Sequence, residues 1–496
     1  MEVGSYWLTK IVFQRALALV YLLAFVGVVH QFKPLLGEKG ILPVPHFIQQ
    51  VSFKNAPSIF QWLPSDGAFA LFGWLGVILA LFALSGYSER FGVWVSVAVW
   101  SLLWILYLSF VNVGQSFFAF GWESLLLEAG FFAIFLGSAG TNPNFLVIVM
   151  LRWLLFRVMF GAGMIKLRGD ECWREFTCLS YHYETQPMPN PLSWYFHWLP
   201  QWIHRFGVGF NHFVELVVPF FYFAPQPFAA IAGIFTLGLH GWLFVSGNFS
   251  WLGFLTMVLA ISLFSGSQLR LLFPFDTPIT HPPPVLFSSS IIVVTILVVL
   301  LSYYPVRNLL SKHQVMNTPY NPFHLVGTYG AFGSITRPRY EVIVEGTDDL
   351  EPGPATQWRE YEFIGKPGNV QRTPPQVAPY HLRLDWLMWF LPFRVAVTSD
   401  GVVLPYGYDP WFVNFMAKLL QNDKGTLSLL RHTPFLEKPP RSVRALLYKY
   451  QFTTPEEKKK TGAIWKRELM GTYFPPVSLD NQNFRATLKS QGWLLH

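Results

Sequence analysis

The stretch Phe91-Gly-Val-Trp-Val-Ser-Val-Ala-Val-Trp-Ser-Leu-Leu-Trp-Ile-Leu-Tyr-Leu-Ser-Phe-Val-Asn-Val113 runs for 23 residues without a charged side chain. As a helix rising 1.5 Å per residue it reaches roughly 34 Å, enough to cross the hydrocarbon core of a bilayer. Comparable runs lie on both sides of it, at about residues 8–30, 67–87, 118–138, 146–167, 206–224, 227–246, 249–267 and 285–303. The first part of the chain therefore reads as an α-helical polytopic membrane bundle of about nine spans. The runs 227–246 and 249–267 are separated only by a short turn, which suits one broken helix or a re-entrant pair. The Pro-containing segment 31–66 suits an interfacial hairpin.

Composition supports that division. The chain has 496 residues, of which 52% are hydrophobic, 18% aromatic and only 13% charged, against roughly 25% charged in an ordinary soluble domain. Residues 1–303 hold 13 Lys/Arg and 12 Asp/Glu, whereas 304–496 hold 23 and 16. The expected organisation is thus a transmembrane domain over 1–303 and a soluble domain over 304–496. The net charge of +8 lies mostly in the second part and is dispersed, apart from the run Lys458, Lys459, Lys460. Nucleic-acid binding is not indicated. The apolar stretch from Ile11 is too long for a cleavable signal and is expected to stay as an anchor.

With nine spans the termini lie on opposite sides, and the loop 168–205 shares a side with the C-terminal region. Arg90, Arg152 and Arg270 all fall on the N-terminal side, which reads as cytosolic. After Tyr304 the pattern changes to alternating runs, such as Tyr340, Val342, Val344 and Trp358, Tyr361, Phe363. These read as β-strands, with a further strand at Arg444–Phe452 and helices near Asp385–Phe390 and Pro410–Leu420. The second part is expected to be β-rich and β-sandwich-like with inserted helices.

Several ionisable groups fall inside the candidate spans: Glu123, Glu128, Arg152, Arg157, Lys166 and Glu215, with His212 and His240. An Arg, Lys or Asp at a helix centre costs roughly 2.5–3.5 kcal/mol on insertion scales, so these groups must face each other or a wet cavity. One reading is a set of structural ion pairs, for example Arg157 with Glu128 or Glu215. The other is a reactive or ligand-binding pocket. His212 and Glu215, three apart, share a helix face, but two ligands are too few for a metal site and none is expected. Cys172 and Cys178 are the only cysteines and lie in one polar loop beside Trp173. A disulfide is the natural reading in an oxidising compartment, with a redox-active dithiol or free thiols as alternatives. The sequon at Asn248, Phe249, Ser250 sits in too short a turn to be glycosylated.

The block Gly163-Ala-Gly-Met-Ile-Lys-Leu-Arg-Gly-Asp170, followed by Cys172-Trp173 and Tyr181-His-Tyr-Glu-Thr-Gln-Pro-Met-Pro-Asn-Pro191, resembles the signature of the lipase maturation factor family. Gly121–Glu128, Asn321–Gly333, Trp358–Phe363 and Pro379–Trp386 resemble further blocks of that family, in order. The resemblance implies an endoplasmic-reticulum membrane protein that brings secreted lipases to an active folded state. It also implies a lumenal C-terminal domain that binds the client, and no cofactor. In bacteria the corresponding place would be the inner membrane, with that domain periplasmic. It singles out no client-binding residues. A more distant resemblance is to the membrane half of vitamin K-dependent gamma-carboxylase, carried by Gly163, Lys166, Leu167, Asp170 and Trp173. That likeness implies the alternative function, an intramembrane enzyme using Lys166 as a base.

Overall fold

The computed structural model describes residues 6–275, 278–397 and 403–490. Seven of the apolar runs form helices long enough to cross a bilayer: α1 (Trp7–Leu36), α2 (Asp66–Ser85), α3 (Val93–Val113), α5 (Phe145–Arg168), α6 (Gln201–Phe223), α7 (Phe228–Ser246) and α9 (Val285–Leu310). The chain is thus a multi-pass membrane protein by length and composition of its helices. The other two runs fold shorter. The run 118–138 becomes α4 (Gly121–Ala133), and 249–267 becomes α8 (Leu252–Leu263). Thirteen residues of helix rise about 20 Å, short of the roughly 30 Å core. Nearly every side chain of α4 is buried by protein. Its hydropathy reflects a position at the centre of the bundle.

Helix α6 is not regular along its length. The α-helical part ends at His212, Phe213–Val217 form a π-helical turn, and Val218–Phe223 wind as a 3-10 helix. Pro219 has no N–H to return to the carbonyl of Glu215, so the α-helical ladder cannot continue through it. The wider turn this forces carries Glu215.

The strands expected after Tyr304 assemble into a four-stranded antiparallel sheet of order β2 (Arg359–Glu360), β1 (Arg339–Thr347), β7 (Ser442–Phe452) and β8 (Trp465–Val477). Strands β1 and β7 pair from Arg339↔Tyr450 to Thr347↔Ser442. Two small ribbons flank them: β3 (Glu362–Phe363) with β6 (Leu430–His432), and β4 (Val395–Val397) with β5 (Val403–Pro405). Helices α10 (Arg383–Phe390) and α11 (Pro410–Leu420) pack on the sheet at the places the sequence suggested. The alternation in β1 puts Val342 and Val344 on one face. Arg339, Glu341 and Glu345 lie on the other, yet are equally buried.

That second face is explained by ion pairs. Arg339 and Lys366 both hold Glu341, at 2.6 and 2.9 Å, and Arg444 holds Glu345 at 2.8 Å. Arg339 also donates to the carbonyls of Glu184, Gln186 and Pro187, in the loop between α5 and α6. The sheet is therefore tied directly to a loop of the bundle. The main apolar core runs continuously through both parts, from Phe13 and Tyr21 in α1 to Val342, Trp411 and Phe474.

The segment 314–337 lies against α5, and glycines make that approach possible. A Cβ on Gly161 would sit 2.5 Å from the Tyr329 carbonyl oxygen, and one on Gly169 would fall on the carbonyl of Gly333. No L side chain tolerates such a contact with fixed backbone, so Gly169→Val should prevent the segment from docking. Purified in detergent, that variant is expected to melt well below the wild type and to lose its monodisperse peak. Gly238→Ala, whose Cβ meets nothing within 4 Å, should leave both unchanged.

Candidate functional site

Helix α4 carries two carboxylates five residues apart, which places them about 140° apart around the helix. They therefore serve different neighbours. Glu123 accepts from Arg383 Nη1 at 2.6 Å and from the hydroxyl of Tyr107, with His381 Nδ1 at 3.5 Å. The same Arg383 nitrogen donates to the Phe117 carbonyl, and the guanidinium stands 3.4 Å from the centre of the Phe118 ring. Glu128 is paired with Arg157 and also accepts from the Tyr329 hydroxyl at 2.8 Å and the Gly327 amide at 3.3 Å. Arg157 in turn donates to the Gly327 carbonyl at 2.7 Å. Both carboxylates join the bundle to the C-terminal region, through the blocks Asn321–Gly333 and Pro379–Trp386.

Glu215, the other partner considered for Arg157, is taken by Lys166. The ammonium lies 2.6 and 2.7 Å from its two oxygens, Asn211 donates a third bond at 2.9 Å, and the Trp173 ring stands 5.4 Å from the nitrogen. The π-helical turn Phe213–Val217, just before Pro219, carries Glu215 to Lys166. His212 instead bonds the Trp173 carbonyl at 3.0 Å, so the two residues serve different partners despite their spacing. Arg152 is satisfied by carbonyls: those of Ser262 and Tyr222 at 3.0 and 3.1 Å, with the Tyr6 hydroxyl at 3.1 Å. Both carbonyls sit where helical segments end and acceptors are left over. Among the described residues no group of three or more His, Cys, Asp or Glu is placed to hold a metal ion.

Cys172 and Cys178 form a disulfide with Cα atoms 4.8 Å apart. Both are buried against Val208 and Ile335. Thiol exchange requires an incoming thiolate to reach a sulfur, so this enclosure suits a structural bridge. Its loop is also pinned by Asp170, which accepts from the Cys172 amide and pairs with Arg337 at 2.8 Å. The Arg337 contact and the backbone amides hold the Asp170 carboxyl well below the usual range. Asn248 is fully buried, and its amide binds the carbonyls of Pro189 and Pro375 and the amides of Val377 and Ala378. The sequon asparagine thus serves as a further tie between the two parts.

Beside the Lys166–Glu215 pair lies a cavity of about 860 Å³. Its wall is mostly aromatic and aliphatic, and its polar groups include Lys166, Glu215, Asn211, His182, His240 and Ser250. Residues from α5, α6, α7 and the segment 329–334 enclose it. Sequence reasoning had placed Lys166, Glu215 and His240 inside spans without bringing them to one space. It missed Arg383, His381 and Tyr329, the partners of the α4 carboxylates, although all three fall within family-like blocks.

The fold and these buried pairs define a multi-pass membrane protein whose C-terminal sheet region is locked to its helices by intramembrane-type ion pairs. Two family models match it: "Lipase maturation factor transmembrane domain" over residues 8–271 and "Lipase maturation factor C-terminal domain" over 325–475. The chain is similar to Lipase maturation factor 1 of Homo sapiens, at 40% identity covering 100% of this chain and 92% of that protein. It is 39% identical to Lipase maturation factor 1 of Mus musculus, over 100% and 91%. Against Lipase maturation factor 2 of Xenopus laevis it is 28% identical, over 99% and 85%. The chain belongs to the lipase maturation factor family. No solved structure matches it.

The histidines at the seams make stability depend on pH. Burial lowers His324 and His381 to about 4, and burial with nearby Lys166 does the same to His182, whereas an unfolded histidine titrates near 6.5. Between those values the unfolded chain binds more protons, so stability is full above about 7 and falls as pH drops toward 4. Buried Glu184 and Glu345, raised above the usual carboxylate range, act in the opposite sense. The informative quantity is thus the difference in slope between wild type and His324→Asn. Melting temperature followed from pH 7.5 to 5 should fall less steeply in the variant.

Proposed function

We propose that this protein matures secreted lipases, with the helical bundle holding the C-terminal region where partly folded client can reach it. The observation that carries the reading is the 40% identity, over the whole chain, to a protein named Lipase maturation factor 1. The membrane is that of the endoplasmic reticulum, with residues 304–496 in the lumen and the N-terminus cytosolic; in a bacterial cell it is the inner membrane, with that region periplasmic. The buried Cys172–Cys178 bridge is in keeping with an oxidising side.

Client recognition needs water-facing apolar surface. The C-terminal region offers Leu404, Tyr406, Leu436 and Leu469, all at least half exposed. The first two belong to β5 and the residue following it. The enzymatic alternative requires a free amine at Lys166. That amine is instead closed on both oxygens of Glu215, an arrangement that favours a structural role.

The test uses cells lacking their own maturation factor and producing a secreted lipase, with variants compared at equal membrane abundance. Wild-type chain should restore secreted lipase activity, and the double variant Leu404→Lys/Tyr406→Lys should lose most of it. Lys166→Met with Glu215→Gln, which removes the pair without orphaning a buried charge, should retain activity. Loss of activity in that pair variant, with client still captured, would move the assignment to intramembrane catalysis.

A further inference from the structure

The cavity beside Lys166 is within the range of small-molecule sites, which run from about 300 to 1,000 Å³. Nothing in the maturation role calls for it. A void of this size lined by Phe206, Phe210, Trp242 and Phe249 would forfeit much packing if it stayed empty. Its outer wall includes Phe206 and Trp242, both substantially exposed, on the surfaces of α6 and α7. Those helices are apolar enough to lie in the bilayer. An occupant can therefore enter from the lipid side.

The polar end specifies what the occupant carries. Lys166 and Glu215 neutralise one another, and Asn211 completes the carboxylate's bonds. A charged headgroup would have to displace one member and leave the other unpaired in an apolar site. Three further groups in residues of the same wall lack partners: the Ser250 hydroxyl, His240 Nδ1 and the Trp386 indole N–H, in residues only 3%, 7% and 4% exposed. Buried polar groups without partners are uncommon. A hydroxyl and an imidazole nitrogen pair naturally with an uncharged hydroxyl or ester.

We propose that this cavity binds an uncharged membrane lipid bearing a hydroxyl or ester head, with its tail along the aromatic wall and its head at Ser250 and His240. The Lys166–Glu215 pair forms the neutral floor of the site. The assignment is independent of the lipase reading, since it rests on the cavity alone.

The test applies an alkyne-tagged, diazirine-bearing monoacylglycerol to the full chain in lipid nanodiscs, irradiates, and maps the labelled peptides by mass spectrometry. Labels are expected on α6 and α7 residues facing the cavity, around Phe206–Asn211 and Gly238–Trp242. Unlabelled monoacylglycerol should compete, and the corresponding fatty acid should compete much less. Gly238 lines the cavity and its Cβ direction is open, so Gly238→Phe should fill the space and abolish these labels while Gly238→Ala keeps them. Ser250→Ala should weaken labelling in a chain that still melts normally, an arm that holds even if the Phe variant misfolds. Labels confined to the outer surface, labels unchanged by both Gly238→Phe and Ser250→Ala, or equal competition by the fatty acid would each overturn the proposal.

Discussion

Two carboxylates on one short helix must be neutralised where water cannot do it, and the architecture follows from how that is achieved. Glu123 and Glu128 are wholly buried in α4. An ionised carboxylate in such a place is tolerated only when paired and hydrogen-bonded. Arg157 and Tyr107 come from the bundle, but Arg383, His381, Tyr329 and the Gly327 backbone come from beyond residue 320. The bundle's interior is electrostatically incomplete without the C-terminal chain. Apolar contact alone would let the two parts slide, whereas these bonds fix one register, as does Arg339 on the carbonyls of 184–187.

This coupling bears on how a maturation factor could work. A client-binding surface gains from being held rigidly, because less ordering is then lost on binding. Here the sheet and its exposed β4–β5 ribbon are held to the membrane helices by several polar seams and one continuous core. The buried disulfide stiffens the loop that carries one of the seams. The same rigidity leaves a lipid-sized space beside Lys166, framed by the segment 329–334 and α5. An occupant there would touch both halves of the chain.

Much of the fold was legible in the sequence, for identifiable reasons. Hydropathy located the long helices, because a span must be apolar along its whole length. Alternation located β1, and the helical stretches near 385 and 410 became α10 and α11. Hydropathy alone does not separate the shorter α4 and α8 from the long helices, since a helix buried by protein and one buried by lipid have the same composition. The intramembrane charges were found because they are costly; depth left Glu128 and Glu215 open as partners for Arg157, and the structure pairs it with Glu128. Lys166 was not matched to Glu215, because the π-helical turn that aims Glu215 depends on the local effect of Pro219. Arg383, the cationic partner of Glu123, lies 260 residues away, and no local pattern reports a contact of that range.

The hold of the α4 carboxylates on the C-terminal region is tested most directly at Glu123 and Arg383. The measurement is the melting temperature of the full chain in detergent for Glu123→Gln, Arg383→Met and the double variant. Each single change strands a buried group, so both should melt far below the wild type. The double variant, with no charge left unpaired between them, should melt no lower than the worse single change. Losses that simply add would show that the two side chains do not depend on each other and that this pair does not hold the C-terminal region to the bundle.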